Sequence, residues 1–403
     1  MFGQTSIGRR RDHHQRRVAV IAQVPAPEPP HGTTGVGRLA AIDGLRLVAA
    51  LSVAMFHYFG SITHGFWGAH DLQQFAPTLH EISRYGWLGV EFFFMISGFV
   101  ICMSCWGRSP VQFAVSRASR LFPAYWCSLL LIVALVLIAR VVHLKTATLI
   151  DPRTDLANFT MAPGPLGVGL TDGVAWTLWV EARFYLLMAI MLCVGLTYRR
   201  IVAFCGIWLT LSLAAQELDS TVMKEFLIPQ YSGLFILGIS LYLMHRFGQN
   251  AVLWLLAGFS WSYELTLLQQ RVDSHGANAT SGGHLSWGVC ALAITIFAVV
   301  LASVAVGPLC RTQSRWLVRA GALTYPFYLV HQSLGVPVAK ALVQHVPGMG
   351  VLKASFTAIG LSLVLAGIIY RWVDKPGARK MRYWLTRGMN PEGPVPASPS
   401  SAM

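Results

Sequence analysis

The 403-residue sequence predicts an all-α, polytopic transmembrane helix bundle of about ten spans with both termini cytoplasmic. Hydrophobic residues make up 54% of the chain and charged residues only 12%, with a mean hydropathy of +0.53, far from the composition of soluble domains. Apolar runs of roughly 17 to 23 residues recur along it, each long enough to cross a hydrocarbon core as a helix. Basic residues also gather in alternate loops, as the positive-inside rule requires of such a bundle.

The runs lie at about 39–60, 86–106, 121–141, 174–196, 201–217, 227–245, 251–268, 287–306, 320–342 and 351–372. Loss of either the fifth or the seventh would move the C-terminus to the other side. With the N-terminus inside, the inner loops and ends hold Arg38, Arg108, Arg117, Arg120, Arg199, Arg200, Arg246, Arg315 and Arg371 among others. The outer loops hold Arg84, Lys145, Arg153, Lys224 and Arg271. The net charge of +14 therefore reads as topology, and no nucleic-acid partner is expected.

Residues 1–37, rich in Arg, Pro and Gly, read as a disordered cytoplasmic tail without the apolar core of a cleaved signal. Residues 38–387 form the membrane domain, and 388–403 a second Pro/Ser-rich tail. No soluble domain is expected at either end. The seven cysteines fall within or at the ends of the runs, so no disulfide framework is implied. Cys102 and Cys105 form a CxxC with no second pair, which reads as packing, and no metal is expected. The long outer loops, about 61–85 and 142–173, contain His64, Trp67, His70, His80, His143, Asp151, Asp155 and Pro163.

The polar residues inside the runs carry the chemistry, because an ionisable group in a span is costly unless it faces a polar cavity or a partner. Arg46 and His57 are eleven residues apart, a step that turns a helix about 20° past three full turns and rises about 16.5 Å. The two share one face at different depths. Asp43 lies within about 40° of His57 on that face and can pair with Arg46 at i,i+3. Glu91 enters the second run at a depth close to that of His57, where a carboxylate can orient an imidazole or sit in a structural ion pair. In the segment Gly86 to Phe99, small residues permit close helix approach and Ser97 can hydrogen-bond across an interface. Arg117 and Arg120, three apart beside a helix start, make a cationic fork suited to phosphate, or a topology anchor. Glu181 and its neighbour Arg183 must face protein or water, as a bridge or as part of a substrate cavity. His331 sits near mid-membrane after Pro326, which frees backbone groups and kinks its helix.

Taken in order, these segments resemble the membrane-bound acyltransferase-3 family. The resemblance rests on Asp43-Gly44-Leu45-Arg46, the Arg46-x10-His57 spacing, GxLGVEFFFxxSGF from Gly86, and SRxxRLxPxY from Ser116. WTLxxExxFY from Trp176, TYPxYLxH from Thr324 and the closing Arg371-Trp372-Val373-Asp374-Lys375-Pro376 complete it. It spans about 38–385. Asp374 stands where many members have glutamate and Thr177 where serine is usual, and both keep the functional group.

The resemblance implies a ten-helix protein of the cell membrane that moves an acyl group, usually acetyl from acetyl-CoA, onto hydroxyls of cell-envelope carbohydrates or, in some members, antibiotics. It marks Arg46, His57, Arg117 and Arg120 as functional. Some members carry a periplasmic hydrolase-like domain. Without one, the membrane domain performs the whole reaction or hands the acyl group to a separate periplasmic partner. The expected arrangement places acyl-CoA phosphates on Arg117, Arg120 and Arg46, near Asp43. His57 then serves as general base or acyl carrier, Glu91 sets its tautomer, and Glu181 and His331 shape the acceptor site. Two alternatives stay open, a transporter or flippase of envelope precursors and an enzyme acylating a cytoplasmic small molecule such as a macrolide.

Overall fold

The computed structural model describes residues 39–60, 76–141, 151–278, 284–312 and 314–387. The two predicted tails, and His64, Trp67, His70 and His143 of the long loops, lie outside the described residues. Among the described residues there is no strand, and nine helical segments are long and apolar enough to cross a membrane.

The chain runs through α1 (Ala40–Met55), which widens into a π-helical turn at Phe56–Gly60, then α2 (Pro77–Ser83), α3 (Leu88–Cys105) and α4 (Pro110–Val141). Next come α5 (Pro152–Asn158), α6 (Trp176–Val194), α7 (Tyr198–Glu217), α8 (Thr221–Leu227), α9 (Ser232–Phe247) and α10 (Ala251–Asn278). The last group is α11 (Trp287–Ala305), α12 (Arg315–Val330), α13 (Gly335–His345), α14 (Val351–Ile369), a second π turn at Tyr370–Asp374, and α15 (Lys375–Arg387).

Three boundaries differ from the sequence expectation. The run 320–342 is two helices separated by a turn at 331–334, while Pro326 stays inside the first of them. α13 restarts at Gly335, where an added Cβ would collide with the Tyr58 hydroxyl. α4 begins at Pro110, so Arg117 and Arg120 lie on its early turns and not in a loop. α10 continues ten residues past Leu268 and takes Arg271 and His275 into the bundle.

α9 is buried all round from Ser232 to Met244, the mark of a central helix. It meets α3 backbone to backbone: a Cβ on Gly98 would strike the Phe235 carbonyl, and one on Gly238 the Met95 carbonyl. On its other flank α3 closes on α1, with Ser52 Oγ donating to the Gly86 carbonyl at 3.1 Å. α12 packs against α1 at Gly321, where a Cβ would meet Asp43. The outward faces expose Val48, Leu137, Leu186, Ile207, Phe259 and Val364, side chains suited to lipid tails. The polar residues are thereby gathered between α1, α3, α6 and α12.

Candidate active site

Two adjoining cavities lie along the polar face of α1. The first is lined by Arg46, Phe93, Ser97, Thr177, Glu181, Thr324 and Tyr325. His57, Phe56, Trp87, Glu91, Trp176, His275 and Gln332 line the second. Val90 and Tyr328 belong to both walls. The cavities measure about 50 and 100 Å³. The eleven-residue step on α1 therefore sets one basic residue in each of two consecutive chambers.

His57 sits in the π turn that ends α1, a local widening common at functional sites. His331, on the turn after α12, is fully buried, and its ring centroid lies 5.3 Å from that of His57. His331 Nδ1–H donates to the Tyr328 carbonyl at 2.8 Å, and the Tyr58 hydroxyl donates to the His331 carbonyl at 2.8 Å. Tyr328 is held in turn by its hydroxyl, 3.0 Å from Thr177 Oγ1, and Thr177 donates to the Val174 carbonyl at 3.0 Å.

Glu91 lines the same cavity as His57 but pairs elsewhere. Its Oε1 lies 3.1 Å from Arg271 Nε, and Arg271 Nη2 lies 2.8 Å from Glu264 Oε2. Glu264 also accepts the Leu234 N–H at 3.2 Å. No hydrogen bond joins Glu91 to His57 among the described residues. From the same face of α10 as Arg271, His275 donates through Nδ1–H to the Arg271 carbonyl at 2.9 Å and stacks on Trp87 at 4.1 Å. Arg271, His275 and Gln332 were not anticipated at the site. Their signal was present, since Glu264 and His275 are eleven residues apart, the spacing that singles out Arg46 and His57.

Glu181 and Arg183 part company, because two residues on a helix point about 200° apart. Glu181 accepts from Ser97 Oγ at 2.8 Å in the first cavity. Arg183 turns away to a separate polar recess, with Nη1 3.3 Å from Glu225 Oε2.

At the Arg46 end the two fork arginines differ. Arg120 Nη1 lies 3.1 Å from the buried carboxylate of Asp374, at the second π turn. Arg117 sits over the rings of Phe113 and Tyr185 with no carboxylate partner among the described residues. Asp43 packs against Gly321 of α12. At the opposite end, just ahead of α6, Asp172 is fully buried and accepts from Ser333 Oγ at 2.5 Å and from the Val174 N–H at 3.4 Å. Burial pushes its carboxyl up to about 6, against the pull of those two donors. Cys102 and Cys105 are buried free thiols in the core, and no cluster of metal-ligating side chains occurs among the described residues.

The family model described as an acyltransferase domain, of the acyltransferase-3 type, matches residues 39–371, most of the chain and both cavities. The chain belongs to the acyltransferase-3 family. A curated relative, Nodulation protein 10 of Rhizobium leguminosarum bv. viciae, is 29% identical over 203 residues, which cover 45% of this chain and 50% of the relative. The chain thus spans about half the length of that relative. No solved structure matches. Membership agrees with a multi-pass helical protein whose two cavities both fall within the matched residues.

Proposed function

We propose that the protein moves an acyl group, acetyl in the simplest case, from cytoplasmic acyl-CoA to a hydroxyl of a cell-envelope carbohydrate or glycolipid across the cell membrane. The observation that carries this reading is the pair of adjoining chambers, Arg46 in one and His57 in the next, with Val90 and Tyr328 common to both. The donor's phosphates rest on Arg117 and on the exposed edge of Arg120, and Arg46 and Glu181 line the path of the pantetheine arm. That arm is comparable in length to the helix rise of about 16.5 Å from Arg46 to His57.

At the far end His57 withdraws the proton of the acceptor hydroxyl while its oxygen attacks the thioester carbonyl. The C–S bond then breaks, and coenzyme A leaves as the thiol with that proton. The second chamber combines the rings of Phe56, Trp87, Trp176 and Tyr328 with the polar groups of His275 and Gln332. Aromatic walls with a few placed polar groups suit a sugar ring.

The test is acyl transfer from labelled acetyl-CoA in membranes containing the protein, read as coenzyme A release that depends on added envelope glycan. His57→Ala should abolish it at normal protein levels, and full transfer by that variant would overturn the reading. A transporter would release no coenzyme A in response to acceptor. Activity of the purified chain alone would dispense with a separate periplasmic transferase.

A further inference from the structure

His331 carries an orphan that the chemistry above does not use. Its Nδ1–H is committed to the Tyr328 carbonyl, and a carbonyl can only accept, so this ring presents Nε2 as a bare lone pair. Nε2 is buried and has no hydrogen-bond partner among the described residues. A buried acceptor of this kind calls for a functional explanation. The ring is also held from its backbone, through the Tyr58 hydroxyl on the His331 carbonyl, and the turn after α12 fixes its position. The nearest imidazole is that of His57, at 5.3 Å between centroids. The two rings are tilted by 46° and no hydrogen bond joins them in this structure; ring nitrogens stand about 1.2 Å from their centroids, so turning the His57 ring until a nitrogen faces Nε2 brings the two within about 3 Å, hydrogen-bonding range.

We infer that His331, and not Glu91, is the positioning residue of His57, receiving the His57 ring N–H on Nε2 and so presenting the other His57 nitrogen, as a lone pair, to the acceptor hydroxyl. This deepens the reading in which His57 takes the acceptor's proton, and it rests on that reading. The protons balance. As the hydroxyl proton enters one nitrogen of His57, the proton on the other moves to His331 Nε2, and His331 becomes the imidazolium, still donating from Nδ1 to Tyr328. When the C–S bond breaks, the proton returns through His57 to the departing thiolate, leaving both rings as they began.

The charged and titratable groups around the pair are consistent with this division of labour. Glu91 from α3 is engaged by Arg271 of α10, and His275 is turned to the Arg271 carbonyl and stacked on Trp87. Asp172 is held by Ser333, two residues past His331, and Tyr328 and Tyr58 contact His331 through its backbone and Nδ1. Glu91 Oε2 and Asp172 Oδ2 are also buried acceptors without a hydrogen-bond partner among the described residues, but both carboxylates are engaged through their other oxygen, and His331 is the one of the three whose side chain is in ring contact with His57.

Diethyl pyrocarbonate tests this without donor or acceptor, because it acylates the unprotonated imidazole nitrogen, and peptide mass spectrometry reads each histidine separately. The full-length protein in nanodiscs is treated across a pH series, with His345 as internal reference. In His331→Gln, whose amide can accept a hydrogen bond but cannot take the proton, and in His331→Asn, the rate at His57 should fall about tenfold relative to His345 and its pH profile should move, since one decade in rate matches one decade in basicity. Unchanged rate and profile at His57 in both variants would overturn the assignment. Should neither variant fold, Tyr58→Phe, which removes the brace on the His331 carbonyl together with the Tyr58 contact to Ser362, should slow His57 by a factor of about two to five, and an unchanged rate there would overturn it equally. Because no acyl transfer is measured, the wider functional reading can fail while this one stands.

Discussion

Arg271 Nε lies 3.1 Å from Glu91 Oε1, and the same guanidinium reaches Glu264 on its own helix at 2.8 Å. One cation thus serves two buried carboxylates and ties α10 to α3 behind the His57 chamber. Removing it strands both. Arg271→Met should cost about 3–5 kcal/mol, the usual penalty for breaking a buried pair, and lower the melting temperature in detergent well below wild type. Glu91→Gln should cost much less, because Glu264 still pairs with Arg271. Equal losses from the two variants would count against the shared-cation arrangement.

The two fork arginines should separate on stability as well as on donor binding. Arg117 holds no carboxylate among the described residues, whereas Arg120 is tied to Asp374 at 3.1 Å. Arg117→Ala should raise the KM for acyl-CoA about tenfold or more, the worth of a charge-assisted hydrogen bond, with little change in melting temperature. Arg120→Ala should do both, raising KM and lowering the melting temperature, because it frees α4 from the C-terminal π turn. Steady-state kinetics and thermal melts on the same preparations check this.

Asp172 makes stability depend on pH in a defined direction. Its folded carboxyl titrates at about 6, above the value near 3.9 for an unfolded aspartate, so the fold prefers the protonated form. That contribution is complete below about pH 4 and is lost as pH rises through about 6, a change of up to roughly 3 kcal/mol. Asp172→Asn keeps an acceptor for Ser333 and removes the titration. Melting curves should show the wild type losing stability between about pH 4 and 6.5 relative to Asp172→Asn, and parallel curves would contradict this.

Close backbone approach sets the limit at the α3–α9 contact. Gly98 and Gly238 each place a neighbouring carbonyl where a side chain would begin. Gly98→Ala should therefore cost about 1–3 kcal/mol as overpacking, read as a lower melting temperature and reduced yield of folded protein. Gly258→Ala, on open space in α10, should be neutral or mildly stabilising.

Much of the candidate site was legible in residue spacing. The shared face of Arg46 and His57 is a property of one helix, and helix periodicity needs no tertiary information. Motif order in turn identified the family. The apolar runs located the spans, because a bilayer demands about 20 apolar residues wherever the chain crosses. Helix periodicity also separates Glu181 from Arg183, and the step from Glu264 to His275 was equally readable once α10 was allowed to continue past Leu268.

Partner choice between helices was settled only in three dimensions. Glu91 had two basic groups within reach in principle, His57 and whatever the facing helices supplied, and the approach of α10 gave it Arg271. His331 came beside His57 because α12 ends at Val330, leaving His331 on the following turn, and Gly335 lets the chain turn in against Tyr58. The sequence by itself determined most of the spans, the family and the axial distance between the two basic residues, since these follow from local hydrophobicity, motif order and helix rise. Tertiary structure decided which polar groups neutralise each other and which stay unpaired, because a buried charge or lone pair is satisfied by whatever group packing brings within about 3 Å, and that group can lie hundreds of residues away.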